Sequence, residues 1–208
     1  PHRGFNRLPR ADAGDMFFDM EGDPLFDGGL EYLFGLVTVD GAFHDWWAHD
    51  RAEEKTAFEA TIDFMMARLR DHPEAHIYHY AAYEETALKR LAMFHGTREG
   101  AVDDLLRGGK LVDLYKVVRE AVRVGEPRYS IKNLEAYYLD KKRAGEVTTA
   151  GDSIVMYERW RRLGGQEILD NIRVYNEVDC RSTVGCRDWL LGLRPDAAQW
   201  FVRAAIAV

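Results

Sequence analysis

The sequence predicts one α/β domain, a mixed central β-sheet flanked by α-helices. Three observations carry that reading. Strand patterns cluster in the first half, two of them joined by a tight turn. Strand and helix patterns then alternate, and the second half is mostly helical. The chain has 208 residues, 47% of them hydrophobic and 12% aromatic, enough for a sizeable core and too apolar for disorder.

Residues 1–14 read as an irregular N-terminal arm carrying Arg3, Arg7 and Arg10, with Pro9 and Gly14 as breakers. Met16 to Met20 is a short apolar run with two aromatics, hence a buried strand. Asp27-Gly28-Gly29 is a turn. Tyr32 to Val39 reads as a strand, Asp40-Gly41 as a hairpin turn and Ala42 to Ala48 as the return strand. Glu53 to Leu69 is helical, with Phe58, Ile62, Met65 and Leu69 at three- and four-residue spacing and Pro73 beyond its end. A short strand over 75–80 and a helix over 82–94 follow. Residues 112–124 read as one helix, and residues 130–139 as another capped by Ser130. Polar, glycine-containing residues 141–151 form a loop. Asp152 or Ser153 caps a helix ending at Gly164-Gly165, and 166–191 is a long final helix. The main domain spans 15–193, and residues 194–208 are a C-terminal tail.

Three signals carry chemistry. Asp19 and Glu21 end the first strand two residues apart, so alternation puts both side chains on one side. Paired carboxylates at a buried strand end repel each other and lose hydration unless a proton or cation lies between them. Hard divalent cations prefer such oxygen donors. Gly22 and Pro24 then let the backbone turn. Solvated acids at a surface strand end are the bland reading. Tyr175 and Asp179 are four apart on the final helix, on a face flanked by Ile168, Ile172, Val178 and Cys186. An acid there needs a partner, which a neighbouring helix or an Arg would also supply. The third signal is His79-Tyr80-Ala81-Ala82-Tyr83-Glu84, where a strand turns into a helix. Strand ends of this kind are frequent ligand sites, and an exposed Glu that helps a helix start is the alternative.

Together these signals resemble the DEDD superfamily of 3′–5′ exonucleases, tyrosine branch, which has an RNase H-like fold. Asp19 and Glu21 match its Asp-x-Glu, Tyr83-Glu84 stands where its second motif has an aromatic and an Asp, and Tyr175 and Asp179 match its Tyr-x-x-x-Asp. Val112-Asp113-Leu114 and Tyr129-Ser130-Ile131-Lys132-Asn133-Leu134 resemble a segment of RNase D-like members. Glu84 departs from the usual Asp, and the Tyr-Glu variant resembles the RNase H-like domain of the YprB type. That domain occurs behind a RecB-family nuclease segment in predicted nuclease–helicase proteins. A chain starting at Pro1 rather than Met is expected of a piece of such a protein.

The resemblance implies hydrolysis of nucleic-acid phosphodiesters with two divalent ions, Mg²⁺ or Mn²⁺. Ions about 3.5–4 Å apart would stabilise the entering and leaving oxygens. Asp19, Glu21, Glu84 and Asp179 are the expected ligands, and Tyr175 is expected to orient the attacking water. Asp113 and His79 are second-tier candidates, Asp113 having a rival role as cap of a helix beginning near Leu114. The implied partner is a single-stranded DNA or RNA 3′ end, in DNA repair or processing, with nuclease and helicase domains of the same full-length chain alongside. A non-catalytic nucleic-acid-binding or docking module is the alternative.

The formal charge of −7 requires any nucleic-acid contact to be local or metal-mediated. Residues 107–143 hold ten Lys or Arg against five Asp or Glu, a local excess of five positive charges. Lys132 and the Lys141-Lys142-Arg143 run are the candidates for phosphate contacts, with Tyr80 beside them. His44, His49 and Asp50 lack the spacing of a zinc or His-Asp site. Trp46 and Trp47 are adjacent on a strand, so at least one packs in the core. Cys180 and Cys186 form neither a zinc pattern nor a disulfide framework, and a reducing cytoplasmic setting is expected. No stretch reaches the roughly 20 apolar residues of a membrane span.

Overall fold

The computed structural model describes residues 3–139 and 149–201. Strands β1 (Met16–Asp23), β2 (Leu30–Thr38) and β3 (Phe43–Trp47) come first, followed by α1 (Arg51–Asp71) and β4 (Ile77–His79). Then come α2 (Tyr83–His95), α3 (Glu99–Arg107), β5 (Leu111–Asp113) and α4 (Leu114–Ala121). A one-turn α5 (Ile131–Leu134) runs into a 3₁₀ turn, and α6 (Ala150–Leu163) and α7 (Gln166–Leu193) complete the order.

The sheet order is β3-β2-β1-β4-β5, with β1 at the centre. It pairs antiparallel with β2 and parallel with β4, while β3 is antiparallel to β2 and β5 parallel to β4. This is the mixed sheet flanked by helices that the sequence predicts, and it is an RNase H-like arrangement.

Strand alternation sorts the core. Met16, Phe18 and Met20 point to the face packed with Phe58 and Ile62 of α1, Leu88 and Leu91 of α2, and Leu105 of α3. Phe17 points the other way, into a cluster with Tyr78, Val117 of α4 and Cys180, Cys186 and Leu190 of α7. Asp19 and Glu21 share the parity of Phe17, so the same pleat carries them to the α7 face. The parallel pairing with β4 ends at Phe17 and Tyr78. β1 therefore extends past its neighbour, and a crevice opens where its two carboxylates stand.

A buried ion pair fixes α7 over the start of β1. Arg187 Nη1 lies 2.8 Å from Asp15 Oδ2, both side chains being nearly inaccessible. The guanidinium also covers the rings of Phe17 and Tyr78. Asp15 accepts a further bond from His76 N at 2.9 Å. Losing one member of such a pair costs about 3–5 kcal/mol, because the other stays buried and uncompensated.

Four elements differ from the sequence reading. Residues 111–113 form a third parallel-paired strand, not the start of a helix, and the helix begins at Leu114. The amphipathic α3 buries Val102 and Leu105 where the reading assigned nothing. The helix expected over 130–139 is one α-turn, capped by Ser130 as expected, plus a 3₁₀ turn. Thr149 rather than Asp152 or Ser153 caps α6; Asp152 closes the reciprocal capping box.

His76 gives the fold a pH dependence. It is 8% exposed at the edge of β4. Burial, and then the neighbouring Lys110, push its imidazole down to about 4. The unfolded chain takes up that proton near pH 6.5, so between those values the unfolded state holds more protons. The contribution is full above pH 6.5 and lost as pH falls toward 4, on the order of 3 kcal/mol in all. Urea unfolding at pH 7 and pH 4.5 should show a smaller acid loss in His76→Gln than in the wild type. Equal losses would remove His76 as the cause.

Candidate active site

Asp19 and Glu21 project from the end of β1, just before a register shift between Glu21 and Gly22. Asp179 comes from the buried face of α7. One carboxylate oxygen from each of these three residues lies within 4.8 Å of the others. Like charges at that distance repel by roughly 3–4 kcal/mol per pair at an effective dielectric constant of about 20. Burial, and then the Asp179 carboxylate, push Glu21 up to about 8. The cluster thus favours a proton or a cation among its oxygens. The donor set is entirely carboxylate oxygen, which fits a hard divalent ion rather than zinc or copper.

Two residues to which the sequence assigns no part in the site, Asn176 and Ser153, hold these carboxylates. Asn176 Nδ2 donates to Asp19 Oδ2 at 2.9 Å, from a fully buried position. Asn176 and Ser153 both hydrogen-bond Glu21 and favour its charged form. Ser153 in turn shares a 2.5 Å hydrogen bond with the Tyr32 hydroxyl of β2. Asn176 fits only because position 35, opposite Asp19 on β2, is glycine. A Cβ there would fall 1.6 Å from Asn176 Oδ1. The one available signal was Asn176 standing three residues before Asp179, on the same helical face.

Tyr175 is also buried, and its hydroxyl accepts a 2.8 Å bond from Lys132 Nζ. The same ammonium lies 4.7 Å from the centre of the phenol ring. Burial, then Asp179, Glu21 and Asp19, raise the Tyr175 pKa above its ordinary value, so the phenol stays protonated at neutral pH. It can hold a hydrogen-bonded water but is not a base. Lys132 comes from α5, which the Ser130 cap starts.

Glu84 stands apart from the three-carboxylate cluster but lines the same cavity. That cavity, of about 560 Å³, includes Asp19, Glu21, Glu84, Leu30, Tyr83 and Ile154. Glu84 Oε2 is 3.3 Å from His79 Nδ1, and both side chains are buried. Burial works against a charged His79, but Glu84 and then Asp113 outweigh it and raise the imidazole pKa. Tyr83 forms the cavity wall, its hydroxyl donating to both oxygens of Glu31 at 2.8 and 3.0 Å. Gly22 admits that wall, since a Cβ would lie 2.4 Å from Glu31 Oε2.

Asp113 lies outside the cluster. Its Oδ1 accepts from Tyr115 N at 2.9 Å and Lys116 N at 3.4 Å, as the cap of α4. The same oxygen accepts from Ala81 N at 3.0 Å. Ala81 has φ +76°, a left-handed backbone unusual for a residue with a Cβ, and it forms the corner between β4 and α2. The Tyr80 hydroxyl donates to Tyr129 O. Lys141, Lys142 and Arg143 lie outside the described residues.

The fold and the acidic cluster define the class: an RNase H-like α/β domain with three carboxylates at the open end of its central strand. The chain belongs to the RNase_H superfamily, whose sequence model matches residues 16–191. Among solved structures it is similar to the family B DNA polymerase from the hyperthermophilic archaeon Pyrobaculum calidifontis, with a TM-score of 0.62 and 23% identity. The match covers 85% of this chain and 24% of the polymerase chain, and the likeness is one of fold. No curated protein matches the sequence.

Gly35→Ala tests the support of the cluster. The added methyl group must displace the Asn176 amide, at an expected cost of about 1–3 kcal/mol in urea unfolding. Any divalent-ion affinity of the cluster, measured by calorimetry, should fall about 10–100-fold, the usual effect of losing a group that orients a ligand. An unchanged affinity would show that Asn176 does not orient the carboxylates.

Proposed function

We propose that this domain is a metal-dependent 3′–5′ exonuclease of the DEDD tyrosine branch, of the YprB type, acting on nucleic acid in DNA repair or processing. The convergence of Asp19, Glu21 and Asp179 beside the Tyr175 hydroxyl carries the reading. The RNase_H superfamily match supports a nuclease role, and the motif order in the sequence supports the finer assignment.

In this reading Asp19, Glu21 and Asp179 would hold divalent ions, Mg²⁺ or Mn²⁺, with Glu84 as a fourth carboxylate facing the same cavity. Such ions, when bound, offset the charge of the attacking and leaving oxygens. The chain's own groups do the rest. Asn176 and Ser153 hold the carboxylates in place, and Asn176 does so from a site closed to water. Tyr175, kept protonated, holds the attacking water by hydrogen bonding, and Lys132 holds Tyr175. His79 holds Glu84, whose longer side chain reaches both the imidazole and the cavity. The 560 Å³ cavity on the β1–β2 side has room for a terminal nucleotide. No helix among the described residues is long and apolar enough to cross a membrane.

The test uses end-labelled DNA and RNA strands in Mn²⁺, in Mg²⁺ and in chelator. Metal-dependent shortening from the 3′ end is expected in the wild type. Asp19→Ala and Asp179→Ala should abolish it while retaining the wild-type circular dichroism spectrum. Full activity in either variant would sink the site assignment. Mn²⁺ should also raise the melting temperature of the wild type but not of Asp179→Ala.

A further inference from the structure

The corner between β4 and α2 ties the active site to a residue outside it. Ala81 has φ +76° there, a conformation that glycine adopts freely and alanine does not. A strained residue of this kind persists only where its surroundings hold it. Asp113, 32 residues further along the chain, supplies a hold: its Oδ1 accepts the Ala81 N–H at 3.0 Å. We propose that Asp113 is a positioning residue of the active site, which acts through the Ala81 corner to fix where α2 begins and so where Tyr83 and Glu84 stand. The inference rests on the nuclease reading only for what Glu84 does; the positioning itself is tested without hydrolysis.

The carboxylate is well placed for this task. His79 and Asp113 face each other at the ends of β4 and β5, which brings the Asp113 side chain beside the corner. That side chain is 5% exposed. An N–H bond to a carboxylate is charge-assisted, roughly twice as strong as one between neutral groups. Capping α4 uses the same oxygen, through Tyr115 N and Lys116 N. A cap alone calls for no bond to the backbone of a different element.

α2 has no such anchor of its own. Its N-cap residue is Ala82, whose methyl group cannot accept a hydrogen bond, so no side-chain cap fixes the first turn. Only residues 80–82 separate the end of β4 from the start of α2. A change in the Ala81 backbone therefore reaches Glu84 within one helical turn. Two partners on different strands leave little tolerance for it. Glu84 Oε2 lies 3.3 Å from His79 Nδ1 of β4, and the Tyr83 hydroxyl reaches both carboxylate oxygens of Glu31 on β2. Both contacts require the same starting point for α2.

Three substitutions separate the corner from the cap. Asp113→Asn keeps an oxygen at the same reach. Asp113→Ser keeps a good helix cap, but its hydroxyl is one bond shorter and falls short of Ala81 N. Ala81→Gly removes the strain. Amide hydrogen exchange in chelator reads two positions: Thr86, bonded to Ala82 O at 3.1 Å in the first turn of α2, and Val122, bonded to Val118 O at 3.0 Å at the end of α4. Asp113→Ser should speed exchange at Thr86 about tenfold or more and leave Val122 at the wild-type rate. Asp113→Asn should leave both near wild type, and Ala81→Gly/Asp113→Ser should restore part of the protection at Thr86. Wild-type exchange at Thr86 in Asp113→Ser, equal acceleration at both amides, or no gain in the double variant would overturn the inference. In the end-labelled strand assay Asp113→Ser should need about 10–100-fold more Mn²⁺ for half its maximal rate. Excess Mn²⁺ should then restore the rate, as it would not in a merely destabilised protein. An unchanged Mn²⁺ requirement would also overturn the inference. The expected exchange pattern in a protein whose wild type shortens neither DNA nor RNA would keep the hold of Asp113 on α2 and overturn the nuclease reading.

Discussion

The site depends on how closely α7 approaches the sheet. Gly35 on β2 leaves a gap that only a bare Cα permits, and Asn176 fills it. That contact sets the height of the helix over β1, and the height brings Asp179 to Asp19 and Glu21. The Arg187–Asp15 pair holds the same helix further along, so α7 is pinned at two levels. Between the pins the helix carries Asp179, and one residue before the first pin Tyr175, both on its buried side. The cost of crowding three carboxylates is thereby met by packing made elsewhere. Clusters of like charge are stable only in scaffolds that cannot relax away from them.

Much of the fold was legible because its signals are local. The β2–β3 hairpin announces itself by an Asp-Gly turn, and the long helices by their three- and four-residue spacing. Asp19, Glu21, Tyr175 and Asp179 were legible because strand and helix periods put each pair on one side. β5 was not, since three residues carry no period and its partner β4 lies more than thirty residues earlier. Its Val112 and Asp113 also continue smoothly into the helix that follows. Asn176, Ser153 and Gly35 were illegible for a different reason. A buried Asn, a Ser in the first turn of a helix and a strand Gly acquire meaning only when three elements meet in space.

Charge is distributed to match these two levels. Acidic residues converge where a cation belongs, while Arg119, Arg128 and Lys132 gather one strand end away. Net charge alone would argue against a polyanionic partner. The separation makes the two compatible, because screening in salt confines each field to about 8–10 Å. Lys132 sits at the boundary and contributes to both, favouring the charged form of Glu21 as well as holding Tyr175.

The corner at Ala81 has a mechanical meaning. One oxygen of Asp113 grips the backbone of that corner and the first turn of α4 together. The corner leads directly into Glu84, and α4 carries Tyr115 and Arg119. The wall of the concavity lined by Tyr80, Tyr115 and Arg119 and the rim of the acidic cleft are thus yoked to a single carboxylate, like two jaws on one pivot. A load placed on α4 is delivered to the β4–α2 corner without passing through the hydrophobic core. In this way two concavities built from different elements are held to a common frame.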